Sequence, residues 1–254
     1  MDRWEIIEAI KKGAFHGAAG KGDIKTVKFL VENGFYVDTR NELGATPLHY
    51  ACYFGKPQMV ELLIENGANV NAQDDYGDTP LAESAKKGSV EVAKLLLDNY
   101  ARVDITNMYG ETLLHHAVDS NLEMLNFLVR LHKLDVNAQT KGGDTPLHYA
   151  ANFGCLESAK LLIENDADVN IENYYGEAPI HYAVSEGHIG VVKMLVDKGA
   201  LLNGVDGAGN TLWDLANQND HIAVKKYLEM LRNKALNDFL KIKVAGKIFD
   251  KQHE

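Results

Sequence analysis

The chain has 254 residues, 46% of them apolar, enough to bury a sizeable core. Its 26 basic and 36 acidic side chains leave a formal charge of -10, which argues against non-specific binding of DNA or of an anionic membrane. No apolar run reaches the ~18 residues of a membrane span, and Met1-Asp2-Arg3-Trp4-Glu5 lacks the layout of a secretory signal.

From the N-terminus, Trp4, Ile6, Ile7 and Ile10 predict a short capping helix. A pattern then begins to return. Thr46-Pro47-Leu48-His49-Tyr50-Ala51 is answered by Thr145-Pro146-Leu147-His148-Tyr149-Ala150. Weaker copies stand at Thr79-Pro80-Leu81, Thr112-Leu113-Leu114-His115, Pro179-Ile180-His181-Tyr182-Ala183 and Thr211-Leu212-Trp213. Positions 46, 79, 112, 145, 178 and 211 are spaced by 33 residues without a gap, the signature of a stacked repeat.

Residues 41–73 define the unit. Asn41-Glu42-Leu43-Gly44 reads as a turn, and its glycine recurs at Gly77, Gly110, Gly143, Gly176 and Gly209, as a positive φ would require. Thr46 is placed to cap a helix whose first residue is Pro47. That helix is expected to end near Gly55 in a left-handed conformation, matched by Gly22, Gly88, Asn121, Gly154, Gly187 and Asp220. A second, amphipathic helix is predicted from Gln58 to Glu65, and Ala68-Asn69-Val70-Asn71 leads extended into the next turn.

Helix, turn, helix and extended turn in 33 residues, with Thr-Pro-Leu-His at the start, resembles the ankyrin repeat family; the likeness covers residues 13 to about 231. It implies an all-α solenoid of about seven helix-turn-helix units with β-turn or hairpin tips. Residues 1–40 would hold the N-terminal cap and a degenerate first repeat (Gly13, His16, Ala19). Residues 41–205 would hold five full repeats, and 206–254 a capping repeat plus a basic helical tail. Residues 221–254 carry eight basic against four acidic residues, leaving residues 1–220 at -14. The tail past Gly246 is expected to fray. The middle of the stack departs furthest from the pattern. Tyr100 and Lys133 stand where Gly67 does, Asn121 replaces a glycine and Leu113 a proline, so lower local stability is expected over residues 100–135.

Catalytic chemistry finds no foothold. His16, His49, His115, His148 and His181 recur once per repeat. Neighbours ~10 Å apart, one helix spacing, cannot share a metal that needs ligands within ~2.3 Å. The resemblance gives them instead the role of hydrogen-bonding staples between repeats. Gly17-Ala18-Ala19-Gly20-Lys21-Gly22 lacks the Ser or Thr of a phosphate loop, and no nucleophile elbow occurs. Cys52 and Cys155 lie three repeats apart, beyond disulfide reach, and are read as reduced. The expectation is a non-enzymatic protein without cofactor or metal, cytoplasmic or nuclear. Asn71, Asn137 and Asn170 also resemble asparagine hydroxylation sites of animal ankyrin proteins, beside their plainer role as turn formers.

The resemblance also implies a concave groove lined by turn tips and inner helix faces. The residues carried there are Tyr53, Phe54, Tyr76, Asp78, Tyr109, Glu111, Asp144, Tyr149, Phe153, Tyr174, Tyr175, Glu177 and Tyr182. Asp78, Glu111, Asp144 and Glu177 form a column of carboxylates, one per repeat, at a position expected to face solvent. Tyrosines beside it suit an interface. The expected partner is another protein, in the narrower reading an extended Lys/Arg-rich segment bound by a monomer, with no nucleic acid and no membrane. Two rival readings remain, a reader of histone tails and a host-directed effector secreted by an intracellular parasite or virus.

Overall fold

The computed structural model describes residues 13–131 and 133–250, with the backbone alone over 238–250. Among the described residues there are fourteen helices and no strand; one isolated bridge joins Val205 to Thr211. The helices come as seven antiparallel pairs. These are α1 (Ala14–Lys21) with α2 (Ile24–Glu32), α3 (Pro47–Tyr53) with α4 (Pro57–Glu65), and α5 (Pro80–Lys87) with α6 (Val90–Asp98). Next come α7 (Leu113–Ala117) with α8 (Leu122–Val129) and α9 (Pro146–Asn152) with α10 (Leu156–Glu164). The last are α11 (Pro179–Ser185) with α12 (Ile189–Asp197) and α13 (Leu212–Gln218) with α14 (Ile222–Asp250). First helices stack on first helices and second on second, giving two layers.

The core follows the period. Phe15, Leu48, Leu81, Leu114, Leu147 and Ile180 occupy one position in successive units, and all are buried. Leu30, Leu63, Leu96, Val129, Leu162, Leu195 and Leu228 fill the matching place in the second layer. A helix pair of this size cannot bury its apolar face alone, so each repeat is completed by its neighbours.

Thr46, Thr79, Thr112 and Thr145 are extended N-caps, three of them followed by proline at the first helical position. The histidine three residues on ties the unit to its neighbour. His49 Nδ1 accepts the Thr46 amide at 3.1 Å, which fixes the proton on Nε2, and Nε2 donates to the Asp78 carbonyl at 3.0 Å. His115 joins Asp144 and His148 joins Glu177 in the same way. His181 keeps the Ala178 amide, but its buried Nε2 has no partner among the described residues. The asparagines form a second staple. Asn71 donates to the Tyr100 carbonyl and accepts from the Arg102 amide, and Asn137 and Asn170 repeat the arrangement.

All six turn glycines have positive φ, from +72° at Gly44 to +89° at Gly143. A second constraint emerges from packing: a Cβ on Gly143 would lie 2.7 Å from the Tyr174 amide nitrogen of the next tip. The structure corrects two expectations. The second helix begins at Pro57 rather than Gln58 because proline suits the first helical turn. Asn121 is not left-handed (φ -157°). It caps α8 through Met124 and donates to the Gly88 carbonyl, so its side chain does the work of a cap and not of a glycine. The backbone of α14 passes Gly246 as helix to Asp250. Tyr100 keeps the left-handed geometry of the glycine it replaces, at φ +66°, a costly conformation for a bulky residue. Trp4, Ile6, Ile7 and Ile10 lie outside the described residues.

Burial lowers the pKa of His49 and His148, and that of His115 to about 4. A folded imidazole that binds its proton less well than an unfolded one contributes stability above pH ~6.5 that is lost as pH falls through the folded value. Thermal unfolding should therefore show the midpoint falling from about pH 6.5 toward pH 4, with a shallower slope in His115→Gln. At the middle joint α7 has only five residues, and Asp104 engages Arg102 of its own repeat at 2.8 Å. Amide hydrogen exchange is expected earlier over residues 100–135 than over 145–165; uniform protection would contradict this.

Candidate partner-binding groove

Each tip is built by a polar residue three positions before its glycine. Asn41, Asp74, Asn107, Thr140, Asn173 and Asp206 each accept two amide bonds with a side-chain oxygen, as Asn107 Oδ1 does from Tyr109 and Glu111. These are Asx and ST turns. Successive tips then bond to one another. The amides of Asp75, Met108, Lys141 and Tyr174 donate to the carbonyls of Leu43, Tyr76, Tyr109 and Gly142. The tips thus form one ladder along the rim.

This frame sets out the aromatic residues. Tyr76, Tyr109, Tyr174 and Tyr175 stand exposed at the tips, Tyr174 at 74%. Tyr53, Phe54 and Phe153 are about half exposed at the inner-helix ends. Tyr53 and Phe54 meet edge to face at 5.1 Å, and Tyr149 and Phe153 at 6.1 Å. Tyr53 and Phe54 also line a pocket of about 300 Å³ with Leu43, Tyr50, Asp74 and Glu83.

The carboxylate column differs from its expected exposure. Asp78 is 6% exposed and engaged within the protein. Lys86 Nζ lies 2.6 Å from its Oδ2, while His116 Nε2 and Asn107 Nδ2 reach Oδ1 at 3.1 and 3.2 Å. Burial pushes its pKa up, but His116 and Lys86 outweigh this and hold it at about 2. Glu111 accepts from Asn107 and from the Tyr149 hydroxyl. Asp144 accepts from Asn173 at 2.9 Å and from the Tyr182 hydroxyl at 3.1 Å; Glu177 accepts from Asn173 at 3.3 Å. Asn107 and Asn173 carry much of this network, each donating to the carboxylate of its own tip and to that of the repeat before. Tyr149 and Tyr182 accordingly turn their hydroxyls to this network, and burial followed by the nearby carboxylates raises both pKa values. Asp78 is therefore not a free anion for a partner, and Glu111, Asp144 and Glu177 are only partly available.

Both ring nitrogens of His49, His115 and His148 are engaged by backbone partners. Asp74, Asp78 and Glu83 bring oxygens within 4.8 Å of one another, but the Lys86 ammonium already bridges Asp78 and Glu83. Burial raises the pKa of Glu83, with Lys86 opposing. Cys52 and Cys155 are free thiols. Asn107 and Asn173 were invisible to reasoning from groove-facing positions, although a polar residue three places before every turn glycine was a readable signal.

The family described as ankyrin repeats (3 copies) matches residues 15–107 and 101–173, and that described as ankyrin repeats (many copies) matches residues 162–216. No curated protein matches the chain. Among solved structures, the ankyrin repeat domain of Bcl-3, a member of the IkappaB family, is 28% identical with a TM-score of 0.66, covering 85% of this chain and 97% of that one. The human ASB11 ankyrin repeat domain is 27% identical with a TM-score of 0.72, covering 83% of this chain and 95% of that one. The family matches together span residues 15–216, most of the length, and the chain belongs to the ankyrin repeat family.

Proposed function

We propose that this chain is a non-enzymatic scaffold or adaptor that holds a partner protein across its concave face. Ankyrin repeat domains are protein–protein interaction modules. The observation that carries the reading here is the set of exposed rings at Tyr53, Phe54, Tyr76, Tyr109, Phe153, Tyr174 and Tyr175. Exposed tyrosines and phenylalanines at the tips and inner-helix ends suit an interaction surface, because such rings bring large contact area at low ordering cost. The ladder of tips gives that surface a rigid base, which lowers the ordering cost of binding.

The partner is proposed to be an extended segment with basic side chains. The charge of -14 over residues 1–220 favours such a segment at long range. The two free thiols suit a reducing compartment, cytoplasmic or nuclear.

A displayed random-peptide library selected on the wild type gives the test. Binders should lose roughly 10–100-fold in affinity on a Tyr53→Ala, Phe54→Ala, Tyr109→Ala variant, and their association should weaken with salt. The same variant should keep its helical signal and its thermal midpoint within a few degrees. Selected peptides that bind both proteins equally would place recognition outside the groove.

A further inference from the structure

The pocket between the second and third repeats differs chemically from the same place elsewhere in the stack. At two other joints the turn residue and the inner-helix residue nine places on form a neutral pair. Asn41 donates to the Tyr50 hydroxyl at 3.1 Å, and Asn173 to the Tyr182 hydroxyl at 3.2 Å. At the third repeat these positions are Asp74 and Glu83, two carboxylates. Neither is needed for the fold in that form. Asn41, Asn107 and Asn173 make the same turn that Asp74 makes, and Tyr50, His116, Tyr149 and Tyr182 occupy the position of Glu83.

The local charge is not balanced. Asp74, Asp78 and Glu83 lie within 4.8 Å of one another. Among the described residues Lys86 is the one ammonium paired with them, and His116 is directed to Asp78. Asp74 and Glu83 form the floor of the pocket of about 300 Å³, while Leu43, Tyr50, Tyr53 and Phe54 make its walls. That volume sits at the small end for ligand sites, near ~300 Å³, and suits one side chain better than a whole metabolite.

We propose that this pocket is the anchor site for an arginine side chain of the bound partner, a refinement that rests on the groove reading above. A guanidinium combines what the walls and floor require. It stacks on aromatic faces, is weakly hydrated, and forks to carboxylates. A lysine ammonium would reach the same carboxylates but would lose more hydration among the rings. An aliphatic side chain would fill the walls and leave the acidic floor without a counter-charge.

The test uses four pools of fluorescent decapeptides, randomised except for a fixed central Arg, Lys, Leu or Glu. The Arg pool should bind wild type at least ~10-fold more tightly than the Leu pool, with Glu weakest. In an Asp74→Asn, Glu83→Gln variant the Arg-to-Leu ratio should fall to about one, with Leu-pool binding retained. Asp74→Asn alone keeps the turn chemistry of the other repeats and serves as a milder variant should the pair fold poorly. A wild type that prefers the Leu pool, or an Arg preference that survives both substitutions, overturns the arginine site while leaving the groove. Binding of every pool that is unmoved by Tyr53→Ala, Phe54→Ala, or no binding of any pool, overturns the groove reading itself and the anchor with it.

Discussion

The structure depends on a buried imidazole that is bonded on both sides. In His49, His115 and His148 one ring nitrogen accepts the amide of its own helix cap, so the other must carry a proton and must find an acceptor. The acceptor is a carbonyl one repeat away. A short helix start is thereby locked to the turn that follows, and the spacing of two units is set by a single ring. Neutral and buried, that ring binds two backbone groups that water could not reach. Where the bonding is incomplete, as at the Nε2 of His181, the stack is passing into its closing repeat, where Asp214 takes the histidine's place and caps with Thr211.

The same economy of position explains the groove. A carboxylate after each turn glycine looks in the sequence like an exposed acidic stripe. In the fold Asp78 and Asp144 accept from the asparagine of the next tip, and Glu111 and Glu177 from the asparagine of their own. Beside this column the rings of Tyr76, Tyr109, Tyr174 and Tyr175 reach solvent. The groove therefore presents rings held on a polar internal network, and its acidity is concentrated rather than uniform. Asp74 and Glu83 stand out because they add carboxylates at a joint where Lys86 is already present.

The periodic features were legible in the sequence because a repeat supplies its own comparison. Thr46-Pro47 and the six turn glycines were read from position, the histidine staples from the likeness to ankyrin repeats, and the structure gives the expected caps, positive φ and inter-repeat bonds. Reasoning failed where a residue's role depends on the neighbouring unit. Asn121 matched a column of helix-ending glycines, yet its side chain crosses to the Gly88 carbonyl and caps α8. Asp78 matched a solvent position, yet Lys86, His116 and Asn107 surround it. One repeat viewed in isolation contains neither partner set, so burial at a joint cannot be read from it. The aromatic residues were easier, since a large ring with no place in the apolar period has few places to go but the surface.

The staples and the rim ladder share a property with consequences for the history of such a chain. The bonds of His49, Asn71 and the tip amides all run to the adjacent unit, about one period along the sequence. A copy of the 33-residue segment inserted between two others would meet the same donors and acceptors that its neighbours already offer. Gene duplication can therefore lengthen the groove without redesigning a core, and drift at single joints can then make the copies differ. A surface with one odd pocket among near-equivalent ones is what that route would leave behind.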